Sequence, residues 1–139
     1  MIFHVDPAAV ADAGTELDIQ ARFIGRMRKL APDIKVVATP NGGKRTAWEG
    51  MKAKREGMVA GWPDVTCFWS NGIDENAIPG LCMIEFKARG GRLSDEQIHW
   101  GSWLTRHGFR FAVCRSAETA VEFVRASGGP FLLHQEGAA

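Results

Sequence analysis

The sequence predicts a small α/β domain, with a mixed sheet flanked by helices. Three observations carry that expectation. Segments with apolar residues at helical spacing alternate with short apolar runs rich in β-branched and aromatic residues. Gly- and Pro-containing breaks separate them. Two strand-like runs, 64–69 and 81–88, follow each other with no helix between them, which adds an antiparallel pair to the alternating order.

The elements follow in order. Residues 15–30 read as a helix, because Ile19, Phe23, Met27 and Leu30 fall on one stripe. Thr15 is placed to cap it, with Asp18 three residues on as a capping-box variant, and Ala31-Pro32 ends it. Residues 34–39 read as a short strand closed by the turn signal Pro40-Asn41-Gly42-Gly43. The basic segment 46–56 has weak periodicity and fits either a helix or a loop, and 57–62 connects it onward. Pro63 opens the strand 64–69, where its missing N–H is tolerated. Residues 70–80 read as a polar loop and 81–88 as the next strand. After the break at Gly90-Gly91, Ser94 starts a helix running to His107, with Gln97 in capping-box position and Gly108 as the C-terminal stop. Residues 109–114 form a strand, and Ser116 caps a last helix to about Ala126. From Gly128 the chain reads as a frayed tail.

At 139 residues this is one domain with one core, about 15–127, followed by a tail at 128–139. There is no apolar run long enough to cross a membrane and no signal-peptide pattern at the N-terminus. The three cysteines, Cys67, Cys82 and Cys114, lie far apart in strand-like contexts, as reduced core residues of a cytosolic protein do. No CxxC or HxxxH spacing marks a structural zinc site. The net charge of +1 is uninformative, but its distribution is not. Lys44, Arg45, Lys52, Lys54 and Arg55 cluster around Glu49 and Glu56, and Arg89 and Arg92 follow later. Such a cluster is either a solvated helix face or a surface for a polyanion.

The chemistry concentrates in Ile84-Glu85-Phe86-Lys87. Alternate residues of a strand share a face, so Leu81, Met83, Glu85 and Lys87 point one way. Cys82, Ile84, Phe86 and Ala88 point the other way, into the core. Antiparallel pairing of 64–69 with 81–88 brings Asp64 opposite the Glu85–Lys87 end. Two neighbouring carboxylates repel unless a cation intervenes. Mg²⁺ or Mn²⁺ suits such an oxygen-rich site, and could orient a phosphodiester there. The plainer reading is an acid–lysine ion pair on an exposed sheet face. Trp69 and Trp103 are expected in the core. Trp48 and Trp62 flank the basic segment and Asp64, where they can contact sugar or base, meet a dimer partner, or simply pack.

Gly61-Trp62-Pro63-Asp64, Glu85-Phe86-Lys87, Gly90-Gly91-Arg92-Leu93 and Ser94-Asp95-Glu96-Gln97 occur in that order. Together with Glu16-Leu17-Asp18-Ile19-Gln20 before them and Gly108 to Ser116 after, they resemble the virus-type replication-repair nuclease (VRR-NUC) family of the PD-(D/E)xK superfamily. The resemblance implies a restriction-endonuclease-like core and a metal-dependent DNA endonuclease using Mg²⁺ or Mn²⁺ and no organic cofactor. It implies Asp64, Glu85, the backbone carbonyl of Phe86 and Glu16 as metal ligands, and Lys87 as the catalytic lysine. Glu16 also reads as an acid favoured by its helix N-terminus. Gln97 would support catalysis, or serve only the capping box. Lys44, Arg45, Lys52, Lys54, Arg55, Arg89 and Arg92 would hold the DNA backbone. The chain looks like the short phage and bacterial members, which implies a cytoplasmic homodimer acting on branched DNA such as four-way junctions. A non-catalytic junction-binding module and a restriction-type enzyme are the alternatives.

Overall fold

The computed structural model describes residues 2–40 and 46–133. Its strands are β1 (His4–Val5), β2 (Lys35–Ala38), β3 (Val65–Asn71), β4 (Ile78–Phe86) and β5 (Arg110–Cys114). Its helices are α1 (Glu16–Leu30), α2 (Ala47–Arg55), α3 (Asp95–Arg106) and α4 (Ala117–Ala126). One five-stranded sheet runs in the order β1-β5-β4-β3-β2. The β1–β5 and β5–β4 pairs are parallel, whereas β4–β3 and β3–β2 are antiparallel. This is a mixed α/β architecture, as the sequence predicts.

Both faces of the sheet are covered. Ile19, Phe23 and Met27 of α1 and Ala120, Val121 and Val124 of α4 close over Val65, Cys67, Ile84, Phe86 and Cys114. On the opposite face Leu104 of α3 joins Phe3, Met83, Phe111 and Val113 in a smaller second core. Close approach of α3 depends on Gly101. A Cβ there would lie 2.6 Å from the Phe111 ring and 2.9 Å from that of Phe3. The cysteines are all buried and free. Among the described residues, no helix is long and apolar enough to cross a membrane.

The caps form as their residues require. Thr15 and Asp18 exchange side-chain-to-backbone hydrogen bonds at the start of α1, and Ser94 and Gln97 do the same at α3. Thr46 caps α2, so the basic segment is a helix. Four expectations are corrected. β1 lies N-terminal to the expected core, and its Phe3 is buried in the second core. Most of the expected 70–80 loop belongs to a longer hairpin, with Ser70 opposite Pro79 and Trp69 opposite Gly80. Pro79 and Gly80 are weak strand residues, but Gly80 is what lets Trp69 lie across the strand: a Cβ there would sit 2.1 Å from the indole nitrogen. Residues 128–133 are not frayed, because Leu132 N–H bonds the Leu30 carbonyl and Phe131 packs under Arg125. Trp103 is 40% exposed and stacks on His107, so it is not a core residue.

Gly101→Ala would overpack the α3–sheet contact. The expected loss is about 1–3 kcal/mol of stability, read as a lower denaturant midpoint with unchanged slope.

Candidate active site

β3 and β4 pair with Val65 opposite Ile84, which sets Asp64, just before β3, beside Glu85. A hydrogen bond holds this end together: Phe86 N–H donates to Asp64 Oδ2 at 2.7 Å. Glu85 and Lys87 leave β4 on the α3 side, as the alternation predicts. That face is not open, however. Met83 is buried beneath α3, and Glu85 and Lys87 are only 2% and 7% exposed. The exposed ion pair is therefore excluded, and the charged groups must be satisfied by one another or by something added.

Three side chains meet there. Lys87 Nζ lies 3.5 Å from Glu16 Oε1 and 3.8 Å from Glu85 Oε2. Gln97 Nε2 donates to Glu85 Oε2 at 2.9 Å, while Gln97 Oε1 accepts from Ser94 N–H. The two readings of Gln97 are thus one arrangement: the cap fixes the side chain so that its amide reaches the buried acid. Glu85 Oε1 is buried with no hydrogen-bond partner. The Glu85 carboxyl neighbours that of Asp64, with which it can bond only by sharing a proton. Burial, then the charge of Asp64, push the Glu85 carboxyl up to about 9, with Lys87 pulling the other way. Burial also raises Asp64, against the Phe86 hydrogen bond.

Two glycines let the pieces meet. Gly61 has φ +81°, and a Cβ there would come within 2.6 Å of the Glu96 backbone in the first turn of α3. A Cβ on Gly91 would press at 3.2–3.3 Å on Lys87 and Glu16. A cleft of about 340 Å³ opens above the acids, lined by Glu16, Asp64, Glu85 and Gln97 on one side and by Gly50, Ala53 and Lys54 of α2 on the other.

The oxygen-rich pair fits a hard divalent cation, since an unpartnered buried carboxylate oxygen beside a second acid is what such an ion would satisfy. Glu16 does not complete a closed set with them: its carboxylate rests on Lys87. Among the described residues no cluster of three or more His, Cys, Asp and Glu forms a ready-made metal site.

The predicted basic residues separate. Lys54 lines the cleft, but Lys52 and Arg55 stand on the outer face of α2 with Trp48 and Met51. Arg89 and Arg92 are exposed on the turn that follows β4. Lys44 and Arg45 lie outside the described residues. Trp62 packs, edge-on to Trp100 with ring centres 5.4 Å apart.

Two residues were missed by reading the sequence. The Arg115 guanidinium donates to the carbonyls of Ala88, Gly91 and Asp6 and so ties down the turn after Lys87. Buried Asp6 accepts from Arg115 N–H and from the Thr119 hydroxyl. Their signal lay in the β1–β5–β4 parallel order, which no local pattern announces.

A mixed sheet that sets an aspartate and a glutamate of adjoining strands at one cleft, with a lysine against the glutamate, is a nuclease-type core. Consistent with this, the VRR-NUC domain family matches residues 18–118, most of the chain, including Asp64, Glu85, Lys87 and Gln97. The chain belongs to that family, and with it comes a nuclease-type function on DNA. No curated protein and no solved structure matches the chain.

Because the folded state holds Glu85 protonated up to about pH 9, it binds more protons than the unfolded chain from about pH 4.5 upward. Without divalent cations, stability should therefore fall as pH rises through that window and level off above it. Raised Asp64 acts with the same sign. In Glu85→Gln this part of the slope should vanish, as measured by urea midpoints at stepped pH.

Proposed function

We propose that this protein is a metal-dependent DNA endonuclease that acts on branched DNA, such as four-way junctions, as a homodimer. The observation that carries the metal reading is the buried Asp64–Glu85 pair, with its unpartnered Glu85 Oε1 and with Lys87 beside it. Asp64, Glu85 and the Phe86 carbonyl would hold Mg²⁺ or Mn²⁺, with Glu16 at the rim. When bound, the ion lowers the pKa of a water and offsets charge on the phosphate.

The protein's own groups do the rest. Gln97 holds Glu85 Oε2 and leaves Oε1 for the ion. Lys87 Nζ, released from Glu16 by an incoming phosphate, orients the attacking water or steadies the charge building on the phosphoryl oxygens. In-line attack then breaks the bond to the 3′ oxygen, which leaves as a hydroxyl, and the phosphate stays on the 5′ side. Lys54, which lines the cleft, and the exposed Arg89 and Arg92 after β4 would grip the backbone, so binding should weaken steeply with salt. Two copies would supply the two centres needed to nick two strands symmetrically.

Lys87→Ala is expected to lose at least about a hundredfold in Mg²⁺- or Mn²⁺-dependent cleavage of a four-way junction while keeping its fold. Equal cleavage by both proteins would remove Lys87 from the chemistry.

The metal has a second, independent readout. Millimolar Mn²⁺ should raise the wild-type melting temperature, and Asp64→Asn should abolish that rise. An unchanged melting temperature in the wild type would count against the site.

A further inference from the structure

α2 has two working faces. Gly50, Ala53 and Lys54 line the cleft that holds Asp64 and Glu85. Trp48, Met51, Lys52 and Arg55 share the opposite face, at the i, i+3, i+4, i+7 spacing of one helical stripe. On that outer face Trp48 is 69% exposed and Met51 64%. Lys52 Nζ lies 5.7 Å from the centre of the Trp48 ring. Glu56 closes the same face and pairs with Lys52 at 3.8 Å, which leaves one cation in excess. A large aromatic and a methionine displayed to solvent beside Lys52 and Arg55 suit a nucleic acid, whose phosphates take the cations and whose bases or sugars take the ring.

We propose that the outer face of α2 binds a second arm of the DNA, so that the helix sits between two arms and reads the branch. The proposal rests on the branched-DNA reading above and deepens it. The occupant is DNA and not another protein for two reasons. The face carries two cations against the single carboxylate of Glu56 beside its aromatic ring, and it belongs to the same helix that walls the nuclease cleft. A linear duplex in the cleft touches one face of α2 only. A junction or a flap touches both, and this supplies a preference for branched DNA without any base-reading segment. Trp48, at the first turn of the helix, is placed to stack on an unpaired or terminal base of that second arm.

The test is binding measured by fluorescence anisotropy in EDTA, with a labelled four-way junction and a linear duplex of matching sequence. Trp48→Ala should weaken junction binding about tenfold, the size of one lost base stack, and change duplex binding by less than about twofold. Trp48→Phe should restore most of the junction affinity. Lys54→Ala, on the cleft face, should weaken both DNAs together. Equal effects of Trp48→Ala on both DNAs, or no effect on either, would overturn the proposal. So would a drop in molar mass by light scattering with DNA discrimination intact, because a second copy would then be the occupant. Since EDTA silences cleavage, tight junction binding without cleavage on adding Mg²⁺ or Mn²⁺ would count against the nuclease reading and leave this one standing. Circular dichroism of each variant confirms the fold, and Met51→Ala gives an independent probe of the same face.

Discussion

The hydrogen bond from Phe86 N–H to Asp64 Oδ2 joins the beginning of β3 to the end of β4 at the point where the sheet must carry charge. A slip of the pairing by one residue would reverse every side chain of β4. Glu85 and Lys87 would then enter the large core, and Ile84 and Phe86 would leave it. The apolar pattern of β4 forbids that exchange, and the Asp64 bond adds a polar reason. Apolar burial on one face and acid placement on the other are therefore satisfied by a single register. The chemistry is located by the packing of residues that take no part in it.

The same end of the sheet is braced from two sides. On the α3 side, the capping box turns Gln97 toward Glu85, so a local helix-start rule also orients a buried acid. On the β5 side, Asp6 holds Arg115, and Arg115 holds three carbonyls around the Gly90-Gly91 turn. Charged donors to backbone carbonyls are strong in a half-buried setting. They limit how far Lys87, immediately upstream, can drift. A lysine with two acidic side chains within 4 Å needs such restraint, because its long side chain would otherwise lose these contacts to entropy.

Much of this could be read from the chain. The stripe Ile19–Phe23–Met27, both capping boxes and the alternation through β4 are local patterns, and each formed as expected. The opposition of Asp64 and Glu85 followed from antiparallel pairing alone. What stayed hidden depended on distance in sequence. β1 is two residues long and exists because Val5 and His4 find β5 more than a hundred residues away. Asp6 and Arg115 meet for the same reason. The depth of the site was also hidden. Alternation shows which residues share a face but not whether a helix covers it, and the covering helix here depends on a glycine, Gly101, that carries no pattern of its own. The division of the basic cluster between two faces of α2 needed the helix to be seen on the cleft wall.

Burial gives the site its character. Were Glu85 exposed, its pairing with Lys87 would be worth little and its acidity would be ordinary. Beneath α3 it is raised into the alkaline range, so the free protein carries a proton where the working site would carry a cation. The divalent ion proposed above would compete with that proton for the oxygens of Glu85 and Asp64. The hydrogen bonds from Phe86 N–H to Asp64 and from Gln97 Nε2 to Glu85 hold one oxygen of each acid in place. Any ion proposed for this site would therefore have to displace a proton from a buried acid before it could act there.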